Sequence, residues 1–237
     1  LDLAKQRSKV SITEFFYAEA PETTEFRRVL NSLNGMTPQM DKRSILITSS
    51  MLCEGKSVFA SYLALTSARC KNRKTLLIDF DLRRPMIHKL FAKPIEKGIS
   101  DILAEGLAAK NFVKSTSVEM LDIITAGRTP NNPSELITAP AVHRIVEEMK
   151  FYYDLILIDS PPLIAVMDPL ILLEEVDGVI LVIKAGSTQR DVVLRAKDIL
   201  AKHKEKIAGV VVNNIDRTLP YYYDYSYYGY KYKSSRD

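Results

Sequence analysis

Nine consecutive residues, Ser49-Ser50-Met51-Leu52-Cys53-Glu54-Gly55-Lys56-Ser57, lie between an apolar run and a stretch that reads as helix. Gly-Lys-Ser at a helix start suits the holding of phosphate. Backbone N–H groups there point at phosphate oxygens. The glycine lets the backbone approach, the lysine supplies a point charge, and the serine hydroxyl can reach Mg²⁺. The full template opens on a glycine, and this chain has Ser50 in its place. The alternative is a chance Gly-Lys-Ser in a turn that suits these residues anyway. Two acidic sites argue against chance. The run Thr75 to Asp79 leads into Asp79-Phe80-Asp81, and the run Asp154 to Asp159 leads into Ser160-Pro161-Pro162. All three aspartates sit where apolar strands run out, on the edge that carries the phosphate loop. Ser57 with Asp159 makes a reasonable Mg²⁺ pair, because Mg²⁺ takes one or two carboxylates together with phosphates and retained waters. Asp79 and Asp81 are two residues apart, so along a fully extended segment they would share one face, and a turn at Phe80 would separate them. One would then meet the metal shell and the other an attacking hydroxyl. For a single aspartate, capping a helix is the competing role.

A hydroxyl to attack is supplied by the chain's other end. Eight of its twelve tyrosines, Tyr221, Tyr222, Tyr223, Tyr225, Tyr227, Tyr228, Tyr230 and Tyr232, crowd into one short segment. No packed core needs such a run. Asp224, Ser226, Gly229, Lys231, Lys233 and Arg236 mark it as solvated. It reads as a substrate tail, with 1–20 as a lead-in of modest helical character, 21–218 as the phosphate-handling domain and 219–237 as the tail.

The elements that must position these groups follow from periodicity. Apolar runs at 44–49, 75–79, 121–125, 154–159, 178–184 and 208–213 read as strands. Helical patterns fall at 21–33, 57–69, 139–149 and 191–203. Strand and helix in alternation predict an α/β fold, a mostly parallel twisted sheet with helices on both faces. Such sheets bind ligands at the carboxyl ends of their strands. The 237 residues suffice for one large domain, and 46% apolar with 26% charged residues is ordinary for a soluble one. A net charge of +4 with no basic stripe gives no case for nucleic acid. Cys53 and Cys70 have neither disulfide nor metal-ligand spacing, so a reducing cytosol is the default compartment. His88, His143 and His203 are scattered and read as structural or exposed. No run approaches a membrane span and no secretory signal opens the chain. Residue 1 is Leu, which leads us to expect a longer parent chain with room for an upstream membrane part.

Together these residues resemble the bacterial tyrosine kinases (BY-kinases) of capsule and exopolysaccharide systems, within the deviant-Walker, MinD/ParA-like P-loop superfamily. The resemblance runs from about Glu25 to the tail. The family's first motif ends Ser-x-x-Pro-Gly-Glu-Gly-Lys-Ser/Thr; Ser49 and Glu54 to Ser57 match it, and here Leu52 and Cys53 replace Pro-Gly. The second, Leu-Leu-Ile-Asp-x-Asp-x-Arg-x-Pro, matches Leu76 to Pro85. The third, Ile-Asp-x-Pro-Pro, matches Ile158 to Pro162. Gly127 to Leu136 is similar to the family loop Gly-x-x-Pro-Pro-Asn-Pro-Ser-Glu-Leu, with Asn131 for the second Pro.

The resemblance implies ATP and Mg²⁺ as cofactors. It implies a nucleotide cradle of Ser50, Cys53, Glu54, Gly55, Lys56, Ser57 and Val58, with Lys56 on the β- and γ-phosphates. Ser57, Asp81 and Asp159 would organise Mg²⁺, and Asp79 would accept the tyrosine proton. Asn213 would read the adenine edge with Arg217 beside it, or else Asn213-Asn214 is only a turn pair. Glu25 and Arg28 match a Glu-x-x-Arg-x-x-Arg helix of ring-shaped self-assembly, an octamer in the family, with Asn31 replacing the second arginine. Tails would then enter neighbouring sites, since a tether this short folds back poorly into its own. The implied partners are other copies of the chain, a separate or fused membrane activator and a phosphatase, and the implied place is the cytoplasmic face of the cell membrane. Cys53 either weakens nucleotide binding, adds redox sensitivity, or is a harmless small residue. Two further readings compete: a MinD/ParA-like ATPase switch, which usually carries a lysine at the position of Met51, and a nucleotide-binding regulator without turnover.

Overall fold

A computed structural model describes residues 10–35 and 43–215. The first helix, α1, spans Pro21–Gly35. Then follow β1 (Ser44–Ser49), α2 (Lys56–Lys71), β2 (Thr75–Asp79), α3 (Ile87–Leu90) and α4 (Ile99–Glu105). Next come β3 (Lys114–Ser115), β4 (Leu121–Ile124), α5 (Pro133–Leu136) and α6 (Ala139–Lys150). The chain continues through β5 (Leu155–Asp159), α7 (Asp168–Glu174), β6 (Gly178–Lys184), α8 (Arg190–Leu200) and β7 (Ile207–Asn213).

The strands form one sheet in the order β3-β4-β2-β5-β1-β6-β7. Every pair is parallel except β3 with β4. The alternation of side chains across a strand divides the core in two. Leu46, Leu76, Ile78, Ile156 and Ile158 face a layer built with α4, α6, α7 and α8. Their neighbours Ile45, Ile47, Leu77, Leu155 and Leu157 face a layer built with α1 and α2. Strands covered on both faces need near-continuous apolar sequence, which is why β1, β2 and β5 are buried at every residue.

All six expected strands are present within a residue or two of their expected bounds. The sequence reading passed over β3, which is only two residues long, and the short helices α3, α4, α5 and α7. None of these exceeds two turns, too few for a helical period to show. The expected helix at 191–203 ends at Leu200 and continues as a 3₁₀ segment, Ala201–Lys206, with His203 off helical geometry. Residues 10–20 belong to the packed domain. Ile12 and Phe16 are buried against α2, and the Thr13 and Ser117 hydroxyls lie 2.9 Å apart. No described helix is long and apolar enough to cross a membrane.

Candidate active site

The site forms where β1, β2 and β5 end side by side. Asp79 on β2 is the register partner of Asp159 on β5, and Asp159 lies next to Ile47 of β1. The chain after β5 stays against β1: the Leu163 N–H donates to the Ser49 carbonyl at 2.7 Å, and the Thr48 hydroxyl to the Pro161 carbonyl at 2.8 Å. Proline at 161 and 162 has no N–H to leave unpaired in this tight passage. Beyond β1 the loop 50–55 leads into α2, and Gly55, the residue that precedes the helix, adopts φ +91°. The left-handed φ favours glycine there, and a Cβ would also displace the side-chain amide of Asn213. No side chain caps the start of α2. Its first N–H groups are therefore open to an anion.

Lys56, on the first turn of α2, reaches across to the acids. Its Nζ lies 2.9 Å from Asp81 Oδ2 and 3.9 Å from Asp159 Oδ1. Burial works against its charge, but the carboxylates of Asp159 and Asp81 outweigh that and raise its pKa. The chain does turn after β2, but at Asp81 and not at Phe80, since the Leu82 N–H donates to the Phe80 carbonyl at 2.9 Å. Asp81 therefore swings toward Lys56, and its Oδ1 accepts the Arg84 N–H at 2.9 Å.

The other two aspartates differ sharply. Asp79 is satisfied: Oδ2 accepts the N–H groups of Met86 and Ile87, each at 3.0 Å, and Oδ1 accepts that of Asp81 at 3.2 Å. It thus caps α3, the bland alternative, while remaining in the acidic cluster. Burial, and then the neighbouring Asp159 charge, hold its pKa well above the usual carboxylate range. Among the described residues neither buried oxygen of Asp159 receives a well-formed hydrogen bond, although the Ser57 hydroxyl and the Lys56 ammonium stand beside them. Burial pushes this carboxyl up to about 6, against the pull of Lys56. A buried carboxylate with no donor is costly and calls for a missing cation.

Mg²⁺ with a nucleotide fits these residues. Among the described residues no group of three or more His, Cys, Asp or Glu could cage a metal. Mg²⁺ needs no such cage, because phosphates and waters complete its shell. The orphaned Asp159, with Asp81 and the buried Ser57, would hold the ion, and the uncapped N-terminus of α2 would hold phosphate.

The matches to known proteins agree with this geometry. A model of the AAA domain family matches residues 45–204. The chain is 35% identical to CapB of Staphylococcus aureus over 232 residues, 96% of this chain and 99% of that one. It is 32% identical to the tyrosine-protein kinase YwqD of Bacillus subtilis (strain 168) over 226 residues, 95% and 93%. The chain belongs to the bacterial tyrosine-kinase family. The kinase domain of the Escherichia coli tyrosine kinase ETK superposes with a TM-score of 0.80 at 27% identity, covering 87% of this chain and 80% of that one. MinD of Pyrococcus horikoshii, solved with Mg-ADP, shares the fold at a TM-score of 0.64 and 21% identity.

Within this kinase-family domain, Cys53 stands at a left-handed backbone position, the condition under which replacing a glycine matters. It adopts φ +62°, the left-handed region where a side chain is strained. Ser50 is buried and its hydroxyl has no partner among the described residues, while Val58 is exposed on the first turn of α2. The Asn213 amide donates to the Glu54 carbonyl at 3.0 Å, and its Oδ1 accepts the Asn214 N–H at 2.9 Å. Asn213 thus binds the phosphate loop itself, a contact that the adenine and turn readings both missed. Arg28 Nη1 pairs with Glu25 Oε1 at 2.8 Å on the exposed face of α1, and Asn31 accepts from Lys71 Nζ at 2.8 Å. Arg217 and the tail tyrosines, Tyr221 to Tyr232, lie outside the described residues.

Sequence reasoning missed one further network. Arg83 Nε donates to Asp168 Oδ2 at 3.1 Å, and the Ser134 hydroxyl donates to Asp168 Oδ1 at 3.1 Å. This ties the loop after Asp81 to α5 and α7. Arg83 and Ser134 both stand in the quoted motifs. Nothing in sequence order shows that they share Asp168.

Proposed function

We propose that this chain is an ATP-dependent protein-tyrosine kinase whose main substrate is its own C-terminal tyrosine cluster, acting in exopolysaccharide or capsule synthesis or export. The observation that carries this is the orphaned Asp159 carboxylate beside Lys56 and the uncapped start of α2, in a chain of the bacterial tyrosine-kinase family. Mg²⁺, when bound, offsets the charge of the phosphate oxygens. Lys56 releases Asp81 and turns to the β- and γ-phosphates. The N–H groups at the start of α2 hold the phosphates in place. Asp79 Oδ1, with a single donor on it, has a free lone pair for the phenolic proton. Its raised pKa makes it a stronger base than an ordinary carboxylate. Phosphoryl transfer asks for little beyond such positioning and charge stabilisation.

Transfer between subunits of a ring-type assembly, held in part through Glu25 and Arg28, completes the proposal. The place of action is the cytoplasmic face of the membrane, with a membrane activator and a phosphatase as partners. Because Asn213 touches the phosphate loop, β7, the last strand before the tail in sequence, ends beside the chain's own site as well. Tether length therefore does not separate own-site from neighbour-site transfer. A mixture does. A Lys56→Met chain with an intact tail is mixed with an active chain lacking its tail, labelled ATP and Mg²⁺, and phosphotyrosine is mapped by mass spectrometry. Label on the Lys56→Met tail is expected. If only unmixed wild-type chains are labelled, at a rate independent of concentration, transfer is within one subunit. If no chain is labelled, kinase activity is refuted.

A further inference from the structure

We propose that Glu54 is a positioning residue of the nucleotide site, a lock that fastens the phosphate loop to the carboxyl ends of β6 and β7. This rests on the reading of that loop as the nucleotide cradle.

Glu54 is only 4% exposed, in a loop whose neighbours Met51, Leu52 and Cys53 are exposed. A carboxylate is seldom so buried unless its oxygens are matched by donors. Among the described residues no cation pairs with it. Its oxygens are spent inside the protein. Oε2 accepts the Met51 N–H at 2.7 Å, and Oε1 accepts the Thr188 hydroxyl. The Thr188 oxygen accepts in turn the Lys184 N–H at 2.9 Å, at the end of β6. Glu54's own carbonyl takes the Asn213 amide, at the end of β7. One residue thus joins the start of the loop to two strands.

The loop needs such a tie. Glu54 stands between two residues at positive φ, Cys53 at +62° and Gly55 at +91°. A chain free to relax would leave this conformation, at Cys53 above all, and the N–H groups meant for phosphate would no longer converge. Donors fixed in advance bind an anion without further ordering cost. The Met51 N–H is meanwhile committed to Glu54, so the cradle is made of the N–H groups that follow it. Glu54 therefore acts on the nucleotide through the backbone and not by contact.

The test compares wild type, Glu54→Ala, Thr188→Val, Thr188→Ser and the Glu54→Ala/Thr188→Val double variant in the full chain. Three quantities are read: hydrogen exchange of the Met51 amide, Mg-ADP affinity by calorimetry, and KM for ATP against kcat. Glu54→Ala is expected to speed Met51 exchange at least tenfold, to weaken Mg-ADP at least tenfold, and to raise KM more than it lowers kcat. Thr188→Val is expected to do the same to a smaller degree, Thr188→Ser to recover affinity by restoring the hydroxyl, and the double variant to be no worse than Glu54→Ala. Wild-type exchange and affinity in Glu54→Ala, or additive losses in the double variant, would overturn the proposal. Should wild type bind no Mg-ADP, the nucleotide reading fails by itself, and Met51 exchange still decides whether Glu54 locks the loop.

Discussion

At the residue scale, three aspartates at strand ends look alike in sequence and behave differently in the fold. Among the described residues Asp159 has no hydrogen bond, and Lys56 at 3.9 Å offsets its burial only in part, so its charge is a burden on the ligand-free protein. Asp159→Asn should therefore stabilise that protein at pH 7, by about 1–3 kcal/mol. The sign follows from its carboxyl being pushed up to about 6 by burial. Below the unfolded-state value near 4 the group is protonated in both states, and the substitution gains nothing. Between 4 and 6 the unfolded chain ionises first and the folded state loses ground. Above 6 the gain is full. Thermal unfolding of both proteins at pH 4 and pH 7 checks this. The stability gain should come with loss of Mg²⁺-dependent turnover. Cys53→Gly should relieve left-handed strain worth about 1 kcal/mol, visible as a higher unfolding midpoint in urea, and should tighten Mg-ADP.

At the element scale, the site depends on how the loop after β2 is held. Asp79 fixes it from beneath through α3, while Arg83 fixes it from the side through Asp168 on α7. Asp168 is 1% exposed, so Arg83→Ala would leave a buried carboxylate served by Ser134 alone. The loss should be about 2 kcal/mol of stability, measured by urea unfolding. Turnover should fall as well, because Asp81 rides on the same loop. Lys56→Met is a different case. It removes one partner of Asp81 and the phosphate ligand, so turnover should vanish while circular dichroism stays that of the folded chain.

At the scale of the whole molecule, the exposed face of α1 is where assembly can be separated from stability. The Glu25–Arg28 pair is an exposed i,i+3 contact within one helix, and such pairs contribute about 0.5 kcal/mol or less. Glu25→Ala should therefore leave the unfolding midpoint nearly unchanged. If α1 docks on a neighbouring subunit, the same change should shift light scattering toward monomer and slow label transfer in the mixing experiment. Scattering that shows only monomer for unphosphorylated wild type at high concentration would remove the ring from the proposal.

Six of the seven strands, their order along the chain and the phosphate loop were legible without a structure, because each is written locally. Buried parallel strands need unbroken apolar runs, and Gly55-Lys56-Ser57 is contiguous. The three aspartates were legible as a group because each ends such a run. What each one does was not, since that depends on which N–H groups fold back onto it. Met86 and Ile87 return to Asp79, Lys56 reaches Asp81, and Asp159 is left with no hydrogen bond among the described residues and only the more distant Lys56 charge. Sequence likewise put Glu54 in the cradle and gave no hint of Thr188, which is 134 residues away. Periodicity reports which face of an element is apolar. Pairing between polar groups far apart in the chain is decided only when the sheet sets β1, β6 and β7 side by side.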